Sequence, residues 1–192
     1  MAAPPSDALT SHHLTTHALK ATQATALLLS SLAAGASLAL SVFLVPRLLE
    51  SPTPLMLQQW RRTYARGAAT VPFAALAAAA GYLWLGLRVK GLGLGAGGLG
   101  SGLWKSRLYL VAAGLTVGIA PYTEVVMRGT NGRLKGLEAE VSGVKGEEAP
   151  AGEVVIVEER TAKGLVDWWG VLNLGRAGLL IGGVVCGLAA TL

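Results

Sequence analysis

The chain has 192 residues, 52% of them hydrophobic and only 14% charged, with a formal net charge of +5. A mean hydropathy of +0.52 is too high for an ordinary soluble domain and points to a membrane protein. The single cysteine, Cys186, excludes an intramolecular disulfide, a four-cysteine zinc site and a Cys-x-x-Cys redox centre.

Residues 1–20 form a polar tail with Asp7, His12, His13, His17 and Lys20. The tail lacks the short basic start and compact apolar core of a cleaved signal peptide, so the first apolar stretch reads as a retained anchor. His13 and His17 have the i, i+4 spacing of two metal ligands on one helix face, but no third ligand lies near in sequence and no metal site is assigned.

Charges are then absent from Ala21 to Pro46, from Gly67 to Leu87 and from Leu108 to Thr123, while Val171 to Leu192 is broken only by Arg176. Each stretch is near the roughly 20 residues needed to cross about 30 Å of hydrocarbon. The expected fold is all-α, an integral membrane four-helix bundle with spans at about 21–46, 67–88, 107–128 and 165–191 in one domain. A multi-pass location in the endoplasmic reticulum or a related endomembrane is expected.

Between the second and third spans, Gly93 to Gly98 match the phosphate-binding pattern G-x-G-x-x-G. A true fingerprint needs a strand before it and a helix after it, so here the string reads as an interhelical turn. Residues 135–160 read as a mobile loop, rich in Gly and Glu from Glu138 to Gly152. Within it E-V-V-I-V-E-E, Glu153 to Glu159, fits either a short strand or the start of the last helix. Basic residues favour the side holding the 47–66 and 128–163 loops, which leans toward a cytosolic position for those loops. Positive charge spread over loops beside apolar spans suits an anionic lipid surface rather than nucleic acid.

Arg176 is the anomaly. Placed at the bilayer surface, it would leave Ala177 to Leu192 to span, about 24 Å of helix against about 30 Å of hydrocarbon. It therefore enters the membrane, either snorkelling outward or facing the bundle interior, where a charge is costly unless it is paired. Trp169, Asn173 and Arg176 share one helix face by their spacing. On the preceding span, Pro121 cannot donate to the carbonyl of Val117, and Thr123, Glu124, Met127, Thr130 and Asn131 follow it. Antiparallel order brings Gln59, Trp60 and Tyr64 to the same membrane face. The alternative for these groups is an interfacial aromatic belt with ordinary helix caps.

These residues carry a resemblance. A-G-A-S-L-A-L-S-V-F-L-V-P, Q-Q-W-R-R-T-Y-A-R-G, P-Y-T-E-V-V-M-R-G-T-N and W-G-V-L-N-L-G-R, running from about Gly35 to the C-terminus, resemble the anthrone oxygenase family. Its members are small four-span membrane proteins of fungal polyketide pathways. The paired P-[YF]-T-x-x-x-M-x-x-T-N and W-x-x-x-N-x-x-R strings are the most specific part.

The resemblance implies a membrane-embedded monooxygenase of secondary metabolism. It would convert an anthrone, a small planar aromatic polyketide, to an anthraquinone with dioxygen. The enolised anthrone anion can itself reduce oxygen, so no flavin or haem is required, and no cofactor motif is recognisable. Arg176 would stabilise the oxyanion, and Asn173, Asn131, Thr123, Thr130 and Gln59 would offer polar contacts. Trp60, Tyr64 and Trp169 would stack on the rings. Glu124 has the chemistry of a general base, although the family pattern does not specify that position and it can instead pair with Arg128 or Arg176. The rival classes are a non-enzymatic four-span scaffold, favoured by the A-x-x-x-G and G-x-x-x-A steps, and a small transporter, disfavoured by the lack of an internal repeat.

Overall fold

Long Ala- and Leu-rich runs combine high helix propensity with apolarity on all sides, the composition of helices that meet lipid or protein on every face. In the computed structural model, residues 6–92, 99–143 and 153–192 are described, with side chains over 16–89, 102–142 and 159–192. The elements are α1 (Ser6–Ala39), a π turn at Leu40–Leu44, α2 (Val45–Leu49), α3 (Thr53–Leu92), α4 (Leu99–Val117), α5 (Ile119–Tyr122), a second π turn at Thr123–Met127, α6 (Arg128–Gly143) and α7 (Glu153–Thr191). No strand occurs among the described residues, and the protein is an all-α helical bundle.

Four continuous helical runs are long and apolar enough to cross a membrane: Thr16–Leu49, Thr53–Val89, Gly102–Ser142 and Glu159–Thr191. Large apolar side chains face outward along them, with Phe43 72%, Phe73 70% and Val125 81% exposed.

The glycine string at 93–98 and residues 144–152 lie outside the described residues, as do the side chains of His12 and His13. On either side of 144–152 the chain is helical. Residues 135–143 continue α6, and the E-V-V-I-V-E-E stretch opens α7. The continuation of α6 has a packing cause, because Leu134 is fully buried while Leu137 and Val141 pack on the same cluster at helical spacing.

Prolines shape the helices differently. Pro54 sits in the first turn of α3, where a missing N–H is harmless. Pro46 and Pro121 each stand beside a π turn; at the first, Val45 N–H bonds to the carbonyl of Leu40, five residues back. Pro72 lies inside α3, which runs on without a break.

Contacts divide the chain into two compact units. One comprises 1–32, 74–117 and 180–192, the other 33–73 and 118–179. The first has a core of Ala26, Tyr82, Leu85, Val89, Tyr109, Ala112, Ala113 and Ala190. Small residues let its helices approach closely. A Cβ on Gly183 would lie 2.5 Å from Thr116 Oγ1, and one on Gly187 would lie 2.5 Å from the Tyr82 ring. Two buried hydroxyls are paired there: Tyr82 shares a 2.8 Å hydrogen bond with Ser30, and Gln23 Nε2 donates to Tyr109 at 2.8 Å.

The second unit has a core of Val45, Leu48, Met56, Leu57, Trp60, Met127, Leu134, Ala162, Val166, Trp169 and Leu172. It holds every residue singled out above as a site candidate.

Candidate functional site

Within the second unit a cavity of about 270 Å³ opens among four stretches of chain. Leu40 of the first π turn contributes one part of the wall. Thr63, Tyr64, Gly67, Ala68 and Pro72 of α3 line another, with Ile119 and Ala120 of α5, Thr123 and Glu124 of the second π turn, and Trp169 and Arg176 of α7. The volume lies at the lower edge of small-molecule sites, about 300–1,000 Å³.

Both π turns reach this cavity. Such turns insert an extra residue into the helical register and recur at functional sites because they re-aim side chains. Here one presents Leu40 and the other Thr123 and Glu124. Thr123 Oγ1 spends its donor on the carbonyl of Ile119 at 2.7 Å.

Two glycines let other helices close on α7. A Cβ on Gly170 would meet Val45 at 3.1 Å, and Ser41 Oγ donates to the Gly170 carbonyl at 2.7 Å. A Cβ on Gly175 would collide with the hydroxyl of Tyr122, which donates to the Leu172 carbonyl at 3.1 Å. These contacts fix the face of α7 that carries Trp169 and Arg176.

An aromatic group forms the floor. Trp60 is fully buried, stacks on Tyr64 at 5.3 Å between ring centroids, and meets Trp169 edge-on at 6.1 Å. Lys135 Nζ stands 4.6 Å from the Tyr64 ring, a cation–π distance. Trp169 Nε1 donates to Asn131 Oδ1 at 3.1 Å.

The predicted residues separate into two groups. Tyr64, Thr123, Glu124, Trp169 and Arg176 line the cavity. Asn131 is buried and engaged with Trp169, and Trp60 lies behind Tyr64. Thr130 is buried without lining the cavity. Asn173 is fully buried, and its Nδ2 donates to the Trp169 carbonyl at 2.8 Å. Gln59 belongs to a separate, more open hollow with Leu44, Arg47, Leu48, Ser51, Arg62 and Thr63.

Several buried polar atoms have no hydrogen-bond partner, among them Arg176 Nε, Asn173 Oδ1 and Trp60 Nε1. Neither Arg176 nor Glu124 takes part in an ion pair among the described residues. The cation at the cavity therefore keeps its donors available. Of the α3 wall, sequence reasoning found Tyr64 but missed Thr63, Gly67, Ala68 and Pro72, whose only advance signals were Pro72 inside a charge-free run and the small pair Gly67 and Ala68.

The sequence model of a family described as Anthrone oxygenase matches residues 60–186. The chain belongs to the anthrone oxygenase family. Among its relatives is an anthrone oxygenase of Emericella nidulans, 35% identical over 117 residues, a match covering 60% of this chain and 56% of that protein. Another anthrone oxygenase, from Paecilomyces divaricatus, is 34% identical over 137 residues, covering 67% of this chain and 77% of that protein. The chain thus spans only a little over half the length of the first relative. No solved structure matches it. The anthrone oxygenase match begins at Trp60 and ends at Cys186, so it includes the α3, α5 and α7 walls and excludes Leu40.

Proposed function

We propose that the protein is a membrane-embedded oxygenase that converts an anthrone-type aromatic polyketide to an anthraquinone with dioxygen. The observation that carries this reading is a cavity bordered by Tyr64 and Trp169 with the Arg176 guanidinium free of any ion pair among the described residues. A flat aromatic ligand gains from stacking on such rings. An anionic one gains from a permanently charged guanidinium in a low-dielectric site. A scaffold has no use for an unpaired arginine at a cavity. The four apolar helical runs and their exposed apolar side chains support embedding in lipid.

The reaction balances as anthrone plus dioxygen giving anthraquinone plus water. Loss of a benzylic proton gives the enolate, which Arg176 favours over the neutral ketone. The enolate gives one electron to dioxygen, and the two radicals combine to form a C–O bond. The resulting peroxide anion takes back a proton from the protonated base to give the hydroperoxide, which loses water, breaking its O–O bond and the remaining benzylic C–H bond to leave the quinone carbonyl. Glu124, at the cavity wall, accepts the first proton in this scheme. Trp169 and Tyr64 hold the rings, while Asn131, Trp60 and Asn173 position Trp169 and its helix.

Purified protein in detergent, given an anthrone under oxygen, tests the reading directly. The expected result is one dioxygen consumed per anthraquinone formed, at a rate well above the buffer reaction and unchanged by exhaustive chelation. No acceleration over buffer removes the assignment, and chelator-sensitive turnover restored by one metal removes its cofactor-free form.

A further inference from the structure

The cavity wall contains a backbone acceptor that the helix itself cannot satisfy. In an α-helix the carbonyl of residue 68 accepts the N–H of residue 72. Residue 72 is proline, which has no N–H, and α3 continues through it as an α-helix from Thr53 to Leu92. Pro46 and Pro121 adjoin π turns that shift the hydrogen-bond register, and Pro72 has no such adjustment. Ala68 and Pro72 both line the cavity, one helical turn apart on the same face, and neither is buried. The neighbouring Gly67 also lines the cavity, and a Cβ there would meet nothing within 4 Å, so this part of the wall is open.

Without a ligand, this acceptor can be satisfied by water. An aromatic ligand that fills the cavity displaces that water, and an acceptor buried without a donor is costly. We propose that the Ala68 carbonyl, freed by Pro72, selects aromatic ligands that carry a hydroxyl donor. The inference rests on reading the cavity as an aromatic site. It assigns α3 the acceptor that complements Arg176, which can only donate. A ring hydroxyl would bond to Ala68 O, while a developing oxyanion would lie toward α7.

The test compares two redox-stable ligands by quenching of tryptophan fluorescence in detergent: a dihydroxyanthraquinone with hydroxyls remote from its carbonyls, and unsubstituted anthraquinone. Pro72→Ala and Pro72→Leu both restore the N–H and are better helix formers than proline, so both are expected to fold. Gly67→Leu, which fills the cavity, reports whether binding occurs there. The expected result is tighter binding of the hydroxylated ligand by the native protein, with that preference reduced about 2- to 12-fold in both Pro72 variants, the value of one neutral hydrogen bond. An unchanged preference in both variants, with binding still abolished by Gly67→Leu, overturns this proposal and leaves the aromatic-site reading standing. Failure of the native protein to bind either ligand, or binding indifferent to Gly67→Leu, overturns both.

Discussion

The indole nitrogen of Trp169 donates to the side-chain oxygen of Asn131 at 3.1 Å. A ring of the cavity wall is thereby held by an amide on α6. Removing that acceptor strands a buried donor, which costs about 1–3 kcal/mol. Asn131→Leu is expected to lower stability by that amount in a reversible unfolding assay in detergent. The same change in a Trp169→Phe background should cost markedly less, because the donor is already gone. Equal costs in the two backgrounds would show that Asn131 acts elsewhere.

Gly67 lines the cavity, and a Cβ built on it meets nothing within 4 Å. Gly67→Leu should preserve stability, or raise it by up to about 1 kcal/mol through helix propensity. Binding of an anthraquinone should weaken by about tenfold or more as the space fills. Unimpaired binding, measured alongside the melting curve, would place the ligand elsewhere.

Gly175 is the opposite case, since Tyr122 occupies the space a side chain would need. Gly175→Ala is expected to cost about 1–3 kcal/mol through overpacking. Gly164→Ala and Gly178→Ala, on the same helix with nothing within 4 Å, should be neutral or mildly stabilising. Similar melting temperatures for all three would contradict the close approach of α5 to α7.

Under the proposed mechanism Arg176→Ala removes the cation that favours the enolate. Loss of one preorganised oxyanion donor costs about 10² to 10³ in rate, and at least that loss is expected in initial rates of anthraquinone formation. Arg176→Lys keeps the charge but loses the planar fork, so it should fall between the two. Near-native turnover by folded Arg176→Ala would exclude the role.

The four apolar helical runs were legible because a charge-free stretch of about 20 residues is what a helix long and apolar enough to cross hydrocarbon requires. The helical character of residues 135–143 was not, since the charges between Leu134, Leu137 and Val141 hide an apolar stripe that matters only once Trp60 and Met127 are there to receive it. Spacing correctly set Trp169, Asn173 and Arg176 on one face. It does not reveal that Asn173 turns its Nδ2 back to the Trp169 carbonyl while the other two reach the cavity. A shared face specifies an azimuth, and rotamers and neighbouring helices decide the rest. The α3 wall was harder still, because Gly67 and Ala68 contribute through what they leave open.

The fit of Tyr122 over Gly175 also constrains how this protein can change over generations. Any side chain at position 175 must first displace the Tyr122 ring, and a smaller residue at 122 leaves a void over Gly175 and takes away the hydroxyl that donates to the Leu172 carbonyl. Neither single step is neutral, whereas a matched pair of substitutions can restore the packing. Positions 122 and 175, 53 residues apart in the sequence, are therefore bound to drift together, each acting as the other's mutational gatekeeper.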